Sequence, residues 1–313
     1  MEYFDIDTHQ RPEPKSIAPR FTSVKIRWKG RAITDLTQGI HRCYLFPVYS
    51  PAGVSLTSES PVDHPHHNSI TVSADVFFVQ LPPLSPAIST LIEEATYNFY
   101  VNNIFQGRAP GRIWVVGVDS EEISENHLRV VQTIQWQGPE EWGAPADIGR
   151  RVLAEETRTI DIYPGEVANI IDIRSQLRPT DWDVTIGTTR HAYFTIRMAD
   201  ELRPANGGKL VDAEGRVGQQ EVCNQLADWV DISGPAVGDQ KAGITVIPHP
   251  SATGIEWFCF DYGTMLVNPF MREKGVLNRG EELDLGIRIL AHDGDATEAG
   301  VADLYEAFKQ EGK

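Results

Sequence analysis

Along most of the chain, apolar and polar residues alternate with a period of two. Stretches 129–137 (RVVQTIQWQ), 156–163 (ETRTIDIY), 168–177 (ANIIDIRSQL), 191–198 (HAYFTIRM), 243–247, 256–262 and 283–290 do so in whole or in part. They are also rich in β-branched and aromatic residues. Alternation sends successive side chains to opposite faces of an extended strand, so each stretch predicts a strand with one face buried. Gly, Pro, Asn and Asp fill the gaps, as tight turns require. Many short strands without regular interleaved helices argue against a parallel α/β sheet. They predict a mainly β, antiparallel sandwich or barrel.

Two segments depart from this pattern. Ser85 offers a helix cap and Pro86 suits the first helical position. Ile88, Leu91, Ile92, Ala95 and Phe99 then keep helical spacing, which predicts a helical insertion over 85–105. Its aromatic tail, Tyr97 to Tyr100, is assigned to core packing. Val301, Leu304, Tyr305 and Phe308 mark one face of an amphipathic C-terminal helix over 296–311, expected to pack on a sheet edge or a partner subunit. Residues 1–20 are expected to form an extended N-terminal arm. No short repeat or low-complexity linker divides the chain, so 1–313 is expected to be one domain.

Composition narrows the function. The chain has 313 residues, 41% of them hydrophobic, enough for a sizeable core. A net charge of −16 with no basic run repels phosphate backbones, so no nucleic-acid partner is expected. Cys43, Cys223 and Cys259 are far apart and form no CxxC pair, which argues against a disulfide framework and a thiolate zinc site. The N-terminus has no apolar signal core, and no apolar run approaches the length of a membrane span. The expected setting is the cytoplasm and the expected partner a small molecule, with a homo-oligomer left open.

Candidate chemistry centres on Asp63-His64-Pro65-His66-His67-Asn68, which holds three of the nine histidines. Histidine changes charge near neutral pH and is the commonest metal ligand. Each ring also needs partners for two nitrogens, which makes such a cluster costly as mere packing. The segment is therefore read as one wall of a site; the bland alternative is a surface turn. If it were extended, His64 and His66 would share a face and His67 would take the other. A divalent metal could then be held by His64, His66 or His67, with a further ligand from Asp75, His191, His249 or Asp261. No other cofactor is expected. His191, opening an aromatic strand, is a candidate general acid. Asp261, leaving an apolar strand ahead of Tyr262 and Asn268, is a candidate general base. Arg158 and Arg197 lie in strand-like stretches, where an inward guanidinium would need an anionic or carbonyl partner.

Taken together, DHPHHNS at 63–69, LAEETRTIDI at 153–162, LADWVDISG at 226–234, and the stretches 243–270 and 280–294 resemble the PmoA-like family. The likeness covers most of the chain from about residue 60. That family's second histidine motif, GHGDVN, falls on Ser73-Ala74-Asp75-Val76, where only the aspartate is kept, and its Lys-Glu falls on Arg190-His191. More distantly, HAYF at 191–194 and the Leu277-to-Glu281 approach to the last long strand resemble aldose epimerases of the galactose mutarotase type. The resemblance implies a single-domain antiparallel β-supersandwich and a histidine acid opposite a carboxylate base, here His191 and Asp261. The site is then expected to use His66, His67, His191 and Asp261 as catalytic groups. Asp75, Arg158, Arg197, Tyr262 and Asn268 are expected to bind substrate. The expected function is acid–base chemistry (epimerisation, elimination or hydrolysis) on a sugar or related polyhydroxy or carbonyl compound. The alternatives are a metal-dependent hydrolase or oxygenase and a non-catalytic carbohydrate-binding protein.

Overall fold

The computed structural model describes residues 1–10, 20–81, 93–140, 149–236 and 240–311, and within them the chain is mainly β. One eight-stranded sheet runs in the order β1 (Phe4–Gln10), β2 (Arg20–Trp28), β3 (Arg31–Gly39), β4 (Cys43–Val48), β5 (Ile70–Ala74), β14 (Ala192–Arg197), β19 (Thr264–Val267) and β18 (Phe258–Phe260). The second eight-stranded sheet runs β15 (Lys209–Asp212), β16 (Val230–Pro235), β17 (Lys241–Pro248), β21 (Leu283–Asp293), β12 (Ala168–Pro179), β11 (Arg150–Tyr163), β10 (His127–Glu140) and β9 (Arg112–Ser124). A third sheet joins β20 (Gly275–Leu277), β13 (Val184–Ile186), β6 (Phe77–Leu81), β7 (Glu93–Asn98) and β8 (Ala109–Pro110). Pairing is antiparallel throughout except for the short contact of β7 with β8. Two helices complete the described residues, α1 (Gln219–Val222) and α2 (Val301–Glu311). The antiparallel sandwich expected from the alternation is the fold observed.

The alternation does what it predicts in β11. From Ala154 to Ile162 every second residue is buried and the intervening ones reach solvent. The two large sheets meet across this buried face: Ser175 of β12 hydrogen-bonds Tyr193 of β14 at 2.9 Å, and Arg158 of β11 reaches Cys43 of β4 at 3.3 Å. Strand β21 is buried on both faces, because α2 covers the outer one. There Leu304, Tyr305 and Phe308 pack against Ile247 and Leu290. The C-terminal helix thus forms, starting at Val301, and lies on a sheet face instead of an edge.

Two expectations change. Of the predicted helical insertion, residues 85–92 lie outside the described residues, and Glu93–Asn98 is a strand. It pairs with β6, opposing Phe77 to Tyr97, and ladder bonds to that neighbour outweigh the helical spacing. The expected N-terminal arm is extended where it is described, but paired, and residues 11–19 of it lie outside the described residues. Phe4–Gln10 is an edge strand on β2, and Phe4 is buried.

Arg158, expected at the substrate, lies in the core instead. Its guanidinium forks onto Glu156 at 2.8 and 2.9 Å, and both side chains are essentially fully buried. Trp136 and Ser175 also donate to the Glu156 carboxylate. The pair counts as a closed structural network between the sheets, with each charge satisfied inside it. No helix among the described residues is long and apolar enough to cross a membrane.

Breaking this pair strands a charge in the core. Glu156→Ala should therefore lower unfolding stability by about 3–5 kcal/mol. Urea unfolding measures it, and a loss below about 1 kcal/mol would place the pair in contact with water.

Candidate functional site

The site is laid across the β5–β14 pair. Its register sets Ala74 opposite Ala192 and Ile70 opposite Ile196, so Asp75 meets His191 at one end and Ser69 meets Arg197 at the other. Both strands are buried throughout. One face of the pair belongs to the core, and the other lies under the segments that carry the histidine cluster and Tyr100.

The histidine segment is a closed turn, not a strand. His64 N–H donates to the Pro61 carbonyl at 3.1 Å, His67 N–H to that of His64 at 2.9 Å, and Ser60 N–H to that of His67 at 2.8 Å. Ser60 and Ser69, at φ 52° and 47°, bracket it in the left-handed region, where residues other than glycine sit at a cost. Arg42 braces it from below, donating to the His66 carbonyl at 2.6 Å and Asn68 Oδ1 at 2.8 Å. The same guanidinium holds the following loop through Asn102 Oδ1 at 2.7 Å and the Phe99 carbonyl at 3.3 Å.

A line of rings connects the two ends. His191 stacks on Tyr100 with centroids 5.1 Å apart, and the Tyr100 hydroxyl bonds His67 Nε2 at 3.0 Å. His67 stacks on His64 at 4.6 Å, and His64 stacks on Tyr262 at 4.6 Å. His66 stands edge-on to His67 and Tyr100. Beyond Tyr262 lies Arg197, fully buried and donating through Nη2 to Asp63 at 2.8 and 2.9 Å. Arg203 and Asp200 extend that ion-pair group.

At the other end, Asp75 is 3% exposed and acts as an acceptor hub. It takes His191 Nδ1 at 3.1 Å, the Thr189 hydroxyl, and Arg108 Nη2 at 3.4 Å. With Nδ1 of His191 donating to a carboxylate, the tautomer leaves Nε2 as a lone pair, and the side chain remains 26% exposed. Asn268, expected to touch substrate, is instead buried and structural. It donates to the Thr189 carbonyl at 2.8 Å and so fixes the turn leading into His191.

Burial sets the protonation of the cluster. It pushes His66 down to about 4, aided by the charge of Arg42 and by His64 and His191. It pushes His67 down to about 2, again ahead of its charged neighbours. Both rings are therefore neutral near pH 7. Burial raises the Tyr100 hydroxyl, and raises Tyr262 to about 12. Burial would also raise Asp63, but hydrogen bonds from His64 and Arg197 outweigh it and bring that carboxyl to about 2.

Two sequence expectations gain no support from this geometry. Asp261 sits exposed in the turn after β18, and its side chain makes no hydrogen bond or ion pair among the described residues. Its neighbour Tyr262 turns into the site instead, and the carboxylate serving His191 is Asp75. For the metal, the geometry speaks only to the pair of His64 and His67. Ring nitrogens bind metal in the plane of the imidazole, and the stacked planes of His64 and His67 lie only 16° from parallel, so they do not meet at one ion. Among the described residues, no three His, Cys, Asp or Glu side chains are grouped to hold a metal. Reasoning from sequence also missed Tyr100, Arg42 and Arg108. The aromatic run before Tyr100 was the available signal, but the run divides: Phe99 enters the core against Phe77 and Trp136, while Tyr100 enters the site.

A family described as "Family of unknown function (DUF6807)" matches residues 23–306. No match to a PmoA-like family accompanies it, so that resemblance is corrected to this family. No curated protein matches the chain. Among solved structures, the Slr1438 protein from Synechocystis sp. PCC 6803 is similar at TM-score 0.30 and 9% identity, covering 91% of this chain and 96% of that one. A 4-alpha-glucanotransferase from Thermococcus litoralis is similar at TM-score 0.27 and 12% identity, covering 86% of this chain and 37% of that one.

The depressed histidines make stability depend on pH in a definite direction. His67 stays neutral in the folded state down to about pH 2, whereas in the unfolded chain it takes up a proton below its ordinary value of 6.5. As pH falls below that value the unfolded state binds the extra proton, so stability is lost at about 1.4 kcal/mol per pH unit for this group. In His67→Gln, melting temperature should fall less steeply than in wild type between pH 6.5 and 4.5. Parallel curves would show that His67 is hydrated.

Proposed function

The chain belongs to the DUF6807 family, whose function is unknown, so its chemistry has to come from the site, and we propose an acid–base enzyme acting on a sugar or related polyhydroxy or carbonyl compound. The observation that carries this reading is the Asp75–His191 dyad. A buried carboxylate holds Nδ1 of a partly exposed imidazole at 3.1 Å, and among the described residues Nε2 has no partner. In this arrangement His191 takes a proton from substrate through Nε2, Asp75 stabilises the imidazolium, and His191 then returns the proton. Thr189 and Arg108 keep Asp75 an acceptor through both steps.

His66 complements the dyad. Its ring makes no hydrogen bond among the described residues, and it stands against Tyr100 from the side while His191 stacks on that ring's face. Held neutral by burial, it offers one N–H to an oxygen on which charge develops, without first giving up a proton. The tyrosine and histidine rings supply apolar faces flanked by polar groups, a surface suited to a polyhydroxy ring. The reactions that fit are those that begin with proton transfer: epimerisation, elimination or hydrolysis.

The test is a panel of sugars, keto-sugars and sugar acids incubated with enzyme in D2O and followed by NMR for deuterium wash-in and new products. The wild type should turn over at least one compound. His191→Gln and Asp75→Asn should each lower the rate by about 10²–10⁴-fold. Asp261→Asn should stay within about twofold of wild type. Full turnover in folded His191→Gln or Asp75→Asn would sink the reading. Ligand binding without turnover would leave a carbohydrate-binding protein.

A further inference from the structure

Among the described residues, no carboxylate pairs with the charge of Arg42. The side chain is 2% exposed, yet its contacts are all neutral oxygens: the carbonyls of Phe99 and His66 and the side-chain amides of Asn68 and Asn102. The other deeply buried guanidinia have a carboxylate partner: Arg158 forks onto Glu156, Arg288 forks onto Asp172, and Arg197 donates to Asp63 through Nη2. Burial lowers Arg42 only to about 10, so it remains a cation at neutral pH. The carboxyls beside or within the histidine loop are engaged elsewhere: Glu59 accepts the Tyr44 hydroxyl, and Asp63 accepts from Arg197. A buried cation held by carbonyl dipoles alone is costly unless a counter-charge arrives from elsewhere. Arg42 donates to the His66 carbonyl and to that of Phe99, the residue before Tyr100, so its charge lies next to the two rings that flank His191 in the candidate site.

Arg108 adds an accessible donor to the same end of the site. Its Nη2 is engaged by Asp75 and Gln106, while among the described residues Nη1 makes no hydrogen bond, Nε is buried without a partner, and the side chain is 16% exposed. Asp75 is shared among three donors and cannot neutralise both guanidinia. A locally positive site in a chain of net charge −16 is a specific arrangement, since the rest of the surface repels anions.

We propose that the substrate is a sugar bearing a carboxylate, of the uronate class, with Arg42 supplying the field beneath that carboxylate and Arg108 a direct hydrogen bond to it. This inference rests on the acid–base reading above and names its substrate class. It also suits the chemistry. When His191 Nε2 takes the proton from the carbon next to the carboxylate, the C–H electron pair moves into the carboxylate as an enolate. The added negative charge falls where the two arginines stand. The proton then returns from His191, either to that carbon or to an oxygen substituent leaving the neighbouring carbon as its C–O bond breaks.

The test compares methyl β-glucuronide with methyl β-glucoside, which differ only in a carboxylate replacing a hydroxymethyl group, by calorimetric titration of the full chain at low and raised salt. The glucuronide should bind at least about tenfold more tightly, the order of one charge-assisted contact. Salt should narrow the gap. Arg42→Gln should bring the glucuronide to the level of the glucoside. If that variant does not fold, the more exposed Arg108→Gln carries the test and should lose several-fold of the preference. Equal binding of the two sugars by the wild type overturns the proposal, as does an unchanged preference in folded Arg42→Gln or, in its place, Arg108→Gln. Equal binding with His191-dependent turnover intact would overturn the carboxylate inference alone. No binding of either sugar, together with inert His191 and Asp75 variants, would overturn the acid–base reading as well.

Discussion

The antiparallel register between β5 and β14 is the constraint on which the candidate site depends. Opposing Ala74 to Ala192 puts Asp75, just past one strand, against His191, just before the other. The same register puts Ser69 against Arg197 at the far end, where Asp63 and Tyr262 gather. Slipping the pair by one residue would turn every side chain of one strand to the opposite face. It would part the dyad and break the line of rings together. Both strands are buried on both faces, so a slip would set side chains of the wrong size and polarity against the packed neighbours on each face.

Buried charge is handled in two ways, and the difference separates scaffold from site. In the core, Arg158 and Glu156 satisfy each other, and Trp136 and Ser175 complete the carboxylate. That network is closed and offers nothing to a ligand. Under the histidine loop, Arg42 is solvated by amide and carbonyl oxygens alone, and Nδ1 of His67 is buried with no partner. Arrangements of the second kind cost stability and are found where structure serves binding or chemistry. The strained Ser60 and Ser69, at the two ends of the same loop, fit that pattern.

Much of the fold was legible in the sequence because strands announce themselves locally. The alternation in 156–163 and 168–177 corresponds to β11 and β12, and the apolar face of Val301 to Phe308 corresponds to α2. Segment 93–98 misled because helical spacing is also compatible with a short strand when a neighbour such as β6 offers its edge. The histidine cluster was legible as a site wall because three imidazoles in four residues are hard to satisfy by packing. Its shape was not: an extended stretch and a closed turn have the same composition, and only backbone bonds to Pro61 and His64 decide between them.

The sequence by itself determined that this is a β-rich chain with a core of alternating strands and a C-terminal amphipathic helix, and it marked the histidines at 64–67 and 191 as candidates for a site. Only the tertiary structure decided which carboxylate serves His191. Asp75 and Asp261 are equally plausible on paper, at 116 and 70 residues' remove, since pairing across a sheet does not scale with separation along the chain. It also decided that Arg158 belongs to the core and Arg42 to the site. A guanidinium in a strand pattern carries no mark of what it will face, because its partner is chosen by the neighbouring strand and the loop that folds over it.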